Sequence, residues 1–309
     1  MFQNVFLKCY NVRHFILLLV NVYLSVYSLV KGFYTLNLEN YFISLFQNKH
    51  IGDDGAVIDG FVYSKDAFFE NVHFKTSWMS YYQIASKSMF VNISDAIAMN
   101  ATPKYALLSV AMPSCISKHE MKDLADGFKD VAAKFGIQII GGDTISNIKL
   151  DITITIISTV QKPLLRNTAK VGEVIAYTGT LGKSAKDLKR LLSGGKIHKR
   201  SKFVDIQLRD TFVRNTQRFL TAGMDISDGL FSDLNKLSES SKIGYKFSRC
   251  IGKNIGCSGE EYEMLISFSP RDIKTLKRRA LQSRTPLNIF ARATRNRYIN
   301  RCKSHHFKR

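Results

Sequence analysis

A chain of 309 residues with 45% hydrophobic content can bury one large or two medium cores, and ordinary domain size favours two. Its 45 Lys+Arg against 25 Asp+Glu leave a formal net charge of +20, which attracts anions in general. No zinc finger, ribonucleoprotein signature or helix-turn-helix pattern accompanies the basic residues that crowd Arg271 to Arg309, so composition argues against a nucleic-acid reader. Cys9, Cys115, Cys250, Cys257 and Cys302 are odd in number, widely spaced and without Cys-x-x-Cys, which predicts a reducing compartment and neither zinc nor a disulfide framework.

The apolar run Phe15 to Val30 follows Lys8 and Arg13. At ~1.5 Å per residue it spans roughly 24 Å, short of a ~30 Å hydrocarbon core, and no small-x-small cleavage site follows it. Residues 1–34 therefore read as a non-catalytic extension rather than a membrane span, with membrane contact expected only through residues 15–30.

Leu38, Phe42, Leu45 and Phe46 recur at helical spacing, predicting a short amphipathic helix over Leu36 to Phe46. Val57 to Val62 and Tyr105 to Met112 read as strands, and between them the Ala- and Ser-rich stretch Tyr82 to Met99 reads as a buried helix ending before Pro103. Met121, Leu124, Phe128, Val131 and Phe135 form one stripe of a helix that stops at Gly136. Ile139-Ile140 reads as a buried strand, and Ile148 to Ile156 alternates as another with Asp151, Thr153 and Thr155 on its polar face. Lys162-Pro163 breaks the pattern, so a boundary falls near residues 160–170. Beyond it come a strand at Val174 to Tyr177, a turn at Gly179 to Gly182, helices through Leu188 to Leu192 and Asp228 to Leu237, and a strand at Glu261 to Phe268.

Acidic residues beside Gly, Ser or Thr punctuate these elements at Asp53-Asp54, Asp66, Asp95, Asp143, and Asp225 with Asp228. Carboxylates at strand and helix ends suit hard cations that in turn hold phosphate oxygens. Each has a plainer reading. Asp53-Asp54 fits a solvated turn, and Asp225 or Asp228 fits a helix N-cap. Gly179-Thr180-Leu181-Gly182-Lys183-Ser184 fails as a P-loop, because Tyr177 stands where that motif needs glycine. A glycine turn opening a helix suits either an anion or plain packing. A lone His73 among aromatics is more often a hydrogen-bonded core residue than a ligand, and Arg166 is either a bidentate phosphate contact or a surface charge.

Taken together, eight segments resemble the thiamine-monophosphate kinase family, within the superfamily of aminoimidazole ribonucleotide and selenophosphate synthetases. They begin at Ile51 (IGDDGAVI), Asp66 (DAFFENVHF), Val91 (VNISDAIAMNATP), Ile140 (IGGDT), Arg166 (RNTAKVGE), Thr178 (TGTLGKSAKDL), Met224 (MDISDGLFSDL) and Gly259 (GEEYEM). The resemblance implies a PurM-like two-domain architecture: an α+β N-terminal domain with a dimerising sheet at 35–165, then an α/β C-terminal domain at 166–309. It further implies Mg2+ ions on Asp53, Ser64, Asp66, Asp95, Asp143, Asp225 and Asp228. ATP would meet Gly142, Asp143, Arg166 and Ser227, and thiamine monophosphate would meet His73, Glu260 and Phe307. The expected reaction is Mg-assisted, in-line phosphorylation of thiamine monophosphate by ATP, in a cytoplasmic homodimer that needs no catalytic side chain. Alternatives are another ATP-using enzyme of the superfamily or a non-catalytic basic protein bound to membrane or nucleic acid. Three departures from the family pattern stand out: Lys65 replaces a usual Thr and offers a cation to phosphate, Glu261 replaces Asp, and the C-terminal portion is short and basic.

Overall fold

A computed structural model describes residues 38–46, 48–300 and 302. The extension at 1–34 and Phe307 lie outside the described residues. Among the described residues no helix is long and apolar enough to cross a membrane. Two units cluster by contact, 1–48 with 304–309, and 49–303. The first contributes one described helix, α1 (Leu38–Ser44), whose Phe42 meets Phe46 edge-on at 5.1 Å.

The second unit holds two five-stranded sheets. The first has the order β1-β2-β5-β3-β4, built from β1 (Ala56–Ile58), β2 (Phe61–Phe69), β3 (Thr102–Pro113), β4 (Gln138–Asn147) and β5 (Asp151–Thr159). Its pairings are antiparallel except β3 with β4. Val57 to Val62, expected as one strand, is split into a hairpin. Asp59 and Gly60 both take positive φ (50° and 79°), as a two-residue turn matching strand twist requires, so Ile58 pairs with Phe61. Ile148 drops out of the strand predicted for it and lies 91% exposed in the turn before β5. The expected alternation holds from Asp151 onward, with Ile152, Ile154 and Ile156 fully buried.

Helices α2 (Tyr81–Ala98) and α3 (Lys118–Phe135) pack on this sheet, each opened by a capping box, at Ser80 with Gln83 and at Ser117 with Glu120. Helix α3 is amphipathic and ends at Gly136 in the left-handed conformation, as its sequence predicts. Helix α2 is buried on most sides, which its weak polar-apolar segregation foreshadows. The two helices touch at Gly127. A Cβ there would sit 2.4 Å from the Tyr82 carbonyl oxygen and 2.9 Å from Ala85 Cβ, so only glycine permits this approach.

The second sheet, β7-β9-β6-β10-β8, is antiparallel throughout. It comprises β6 (Val174–Thr178), β7 (Leu220–Asp225), β8 (Gly244–Phe247), β9 (Met264–Phe268) and β10 (Leu287–Thr294). Four longer helices accompany it, α4 (Lys183–Leu192), α5 (Asp210–Thr216), α6 (Leu230–Ser241) and α8 (Ile273–Gln282), with a single turn, α7 (Lys253–Gly256). One core runs from Phe68, Ile84 and Met89 through Phe203 and Phe212 to Met264 and Phe268, joining both sheets. A second lies under α6 around Ile175, Met224, Leu234 and Phe290.

Two expectations are overturned. Ile139 and Ile140 are 39% and 53% exposed rather than buried, because β4 is an edge strand, paired only with β3 among the described residues. Cys257 and Cys302 form a disulfide with Cα atoms 5.6 Å apart. Their separation of 45 residues hid from the sequence that the chain after β10 returns to the end of α7.

Candidate metal and phosphate site

Helix α2 is the spine of the site. It places Lys87, Asn92, Ser94 and Asp95 along one buried rod, from which they reach β2, the end of β7 and the loop at Glu260. Asn92 is fully buried; its Oδ1 accepts the Asp66 backbone N–H at 2.8 Å and its Nδ2 donates to the Ser88 carbonyl at 2.9 Å. That fixes Asp66 on β2 beside Asp95, within hydrogen-bonding range. Ser64, two residues earlier on the same face and 2% exposed, donates to the Asn92 carbonyl at 3.4 Å. Ser94 donates at 2.7 Å to Asp225 at the end of β7, tying the second sheet to the first.

Three carboxylates converge, Asp54, Asp95 and Asp225, each offering an oxygen within 4.8 Å of the others. Asp54 Oδ2 is buried without a hydrogen-bond partner. Its other oxygen is ion-paired with the Arg166 guanidinium, and Arg166 Nη1 reaches the Gly52 carbonyl at 3.5 Å. Burial, and then repulsion from neighbouring acids, pushes Asp95 and Asp225 well above the usual carboxylate range and Asp66 up to about 6. Buried acids crowded in this way, one oxygen unpartnered, suit a hard divalent cation.

Asp53 is not in this triad. Its Oδ1 accepts the Arg166 backbone N–H at 2.6 Å, so it holds the chain between the sheets while its neighbour turns inward. Burial raises its pKa in spite of Arg166. The resemblance puts Mg2+ on Asp53, whereas in the structure it is Asp54 that groups with Asp95 and Asp225.

Asp228 and Lys236 pair at 2.7 Å, and Lys236 also reaches Asp233 at 3.1 Å. Asp233 is fully buried and pushed up to about 7 by burial, with Lys236 opposing. Neither Asp225 nor Asp228 caps α6. Gly229 stands at the N-cap, and Asp233 instead accepts the Asp228 N–H at 3.2 Å. Ser227 accepts the Glu260 N–H at 2.7 Å through its carbonyl, lacing its loop to the one that follows α7.

Asp143 stands apart, on the exposed edge strand β4, its carboxylate accepting the Thr144 N–H at 2.9 Å. Gly142 has a backbone reason for being glycine, since at φ 151° a Cβ would lie 1.6 Å from the Leu108 carbonyl oxygen of β3. His73 Nδ1 accepts the Phe69 N–H at 2.9 Å and its ring stacks on Phe68 at 5.5 Å, as expected of a hydrogen-bonded aromatic residue. Lys65 faces away from Ser64 and Asp66 and donates to Thr153 at 3.2 Å, so the cation that replaces a hydroxyl lies on the opposite sheet face from the acids. Alternation along β2 requires this.

The glycine turn before α4 is an anion site that the chain fills itself. Glu261 Oε1 accepts the Gly182 N–H at 2.7 Å and the Ser184 N–H at 3.3 Å, where a bound phosphate would sit. Lys202 bridges Glu261 and Glu263 at 2.9 Å each, and Arg209 grips Glu263 with Nε at 2.7 Å and Nη2 at 2.8 Å.

Residues 52–160 match the family model described as AIR synthase related protein, N-terminal domain. A thiamine-monophosphate kinase of Bacillus subtilis is 35% identical over 210 residues, 62% of this chain and 65% of that protein. Another, from Buchnera aphidicola subsp. Schizaphis graminum, is 34% identical over 263 residues, covering 74% and 80%. Among solved structures, AaThiL complexed with AMPPCP and TMP superposes with a TM-score of 0.75 at 23% identity, over 84% of this chain and 91% of that one, and so shares the fold. With these matches laid over two sheets joined through Asp54, Asp95 and Asp225, the chain belongs to the thiamine-monophosphate kinase family.

Proposed function

We propose that this protein transfers the γ-phosphoryl group of ATP to the phosphate of thiamine monophosphate, giving thiamine diphosphate. The convergence of Asp54, Asp95 and Asp225 within 4.8 Å carries the reading. Two anions must meet, so charge repulsion dominates the barrier and preorganised electrostatics is the remedy. The acceptor phosphate is ionised near neutral pH, which removes the need for a protein nucleophile or a strong base.

The donor set fits Mg2+: oxygen ligands only, mutually repelling and partly unpartnered. Asp54, Asp95 and Asp225 would hold it, with Asp66, Ser64 and Asp228 beside them, and bound Mg2+ would supply charge neutralisation of the phosphates. Arg166, held by Asp54, would meet a phosphate oxygen, and Gly142, Asp143 and Ser227 would complete the nucleotide contacts. His73 and Glu260 would receive the thiamine moiety.

A homodimer belongs to the proposal. Ile58, Tyr63, Tyr105, Leu107 and Ile145 put exposed apolar side chains on one face of the first sheet, and grouped apolar surface of this kind marks an interaction site. In that dimer Asp143 lies near the interface. Domains at 35–165 and 166–309 and a cytoplasmic setting, where ATP is plentiful, complete the reading.

The test is direct. Purified protein with ATP, Mg2+ and thiamine monophosphate is expected to yield thiamine diphosphate in stoichiometry with ADP. ATP hydrolysis without that product, or turnover only with another superfamily substrate, overturns the proposal.

A further inference from the structure

Lys87 is the most deeply buried charge of α2, with its side chain 0% exposed. Its ammonium lies 3.5 Å from the centroid of Phe203 and 5.6 Å from that of Phe68, and at 2.8 Å from Glu260 Oε2. Burying an ammonium is costly unless a partner compensates, and the two ring faces with one carboxylate are what compensates it here. Glu260 is differently placed. Its side chain is 23% exposed, and its backbone is held at φ 53° by the bond from its N–H to the Ser227 carbonyl. One carboxylate oxygen is thus taken inward by Lys87 while the group as a whole still reaches the surface. A carboxylate fixed at one oxygen has lost the rotation that a free glutamate would lose on binding, so a cationic ligand meets it preorganised.

We propose that Lys87 is a positioning residue for substrate recognition: it holds Glu260 so that the second carboxylate oxygen meets the cationic thiamine moiety. Because Lys87 and Asp95 share α2, the organic end of the substrate is thereby kept in register with the phosphate-holding acids. This rests on the reading of Glu260 as a substrate contact.

Steady-state kinetics of the full-length protein at saturating ATP and Mg2+ tests it, with Lys87→Met, Glu260→Gln and the double variant. Glu260→Gln is expected to raise KM for thiamine monophosphate about tenfold. Lys87→Met, which keeps the volume and removes the charge, is expected to raise it by a similar factor, with kcat within about threefold and KM for ATP unchanged. The double variant is expected to be no worse than the more impaired single one, since both act through one carboxylate. If Glu260→Gln leaves that KM unchanged, the assignment of Glu260 itself fails. If Glu260→Gln raises it while Lys87→Met does not, or if the two effects multiply, the positioning role alone is overturned. Should Lys87→Met fail to fold, a crystal structure of the wild-type protein with thiamine monophosphate decides. Lys87 on one Glu260 oxygen and ligand on the other supports the role, and a parted Lys87–Glu260 pair refutes it.

Discussion

Asp95 shows how one side chain can be poor for stability and suited to function. It is buried beside Asp66, Asp225 and Asp54, and the opposing pull of Arg166 is weaker than their combined effect with burial. Asp95→Asn keeps the shape and removes a repelling charge. It is therefore expected to leave the thermal midpoint of the metal-free protein unchanged or raised, while lowering kinase activity by on the order of 10²–10³-fold. A differential scanning fluorimetry series beside the product assay checks both. The sign of the pH effect follows from Asp66, raised from 3.8 to about 6. Between those values the folded state holds a proton that the unfolded state has released, so this group's contribution to stability falls as pH rises through that window. Mg2+ competes with those protons, so its stabilising increment is expected to be larger at pH 7.5 than at pH 5.5. At this scale the family resemblance named Asp95 and Asp225 in advance but Asp53 rather than Asp54 as their companion. Asp54 and Asp53 are indistinguishable in a string, and Asn92, Ser94 and Lys87 look like any polar residues of an Ala-rich helix until three-dimensional packing shows what each touches.

Among the elements, the loop from Ser258 to Glu263 and the turn before α4 stand or fall together. Glu263 is buried at the start of this pair of contacts and accepts from Thr178, Lys202 and Arg209. Burial works against its charge, yet Arg209 and Lys202 prevail and hold its pKa below the usual 4.5. That contribution is present above pH 4.5 and lost as pH falls through the lowered value. Glu263→Gln takes from Arg209 its carboxylate and leaves Lys202 with Glu261 alone, and is expected to cost about 3–5 kcal/mol, readable as a lower midpoint in urea unfolding. The helices with capping boxes and single apolar stripes were legible because local chemistry decides them. The β1–β2 hairpin was missed although Asp59-Gly60 is its signal, because the apolar pairs Val57-Ile58 and Phe61-Val62 were read as one strand running through it. The exposed Ile139-Ile140 was missed because apolar content reports a tendency to be covered, not what does the covering.

For the whole molecule, the open apolar sheet face argues for a second copy. Ile145, 57% exposed on β4, is a surface position within one chain, so Ile145→Asp is expected to preserve the circular dichroism spectrum and convert a dimer to a monomer in light scattering after gel filtration. A wild-type protein that is monomeric at micromolar concentration would remove the dimer from the proposal. The two-sheet plan was legible from the ordered resemblance of eight segments. The Cys257–Cys302 bond was not, since closure of a loop depends on where the chain returns rather than on any local pattern.

Gly127 touches no acid, no phosphate and no thiamine contact, yet it sets how closely α3 seats against Tyr82 and Ala85 of α2. A methyl added there meets the α2 backbone, so the two helices must part, and whatever shift α2 takes up would move Lys87 and Asp95 together. Loss of function inherited through this position would look like damage to catalysis and recognition at once, and because the nearest obstacle is the Tyr82 backbone carbonyl, trimming a side chain such as Ala85 would not restore it.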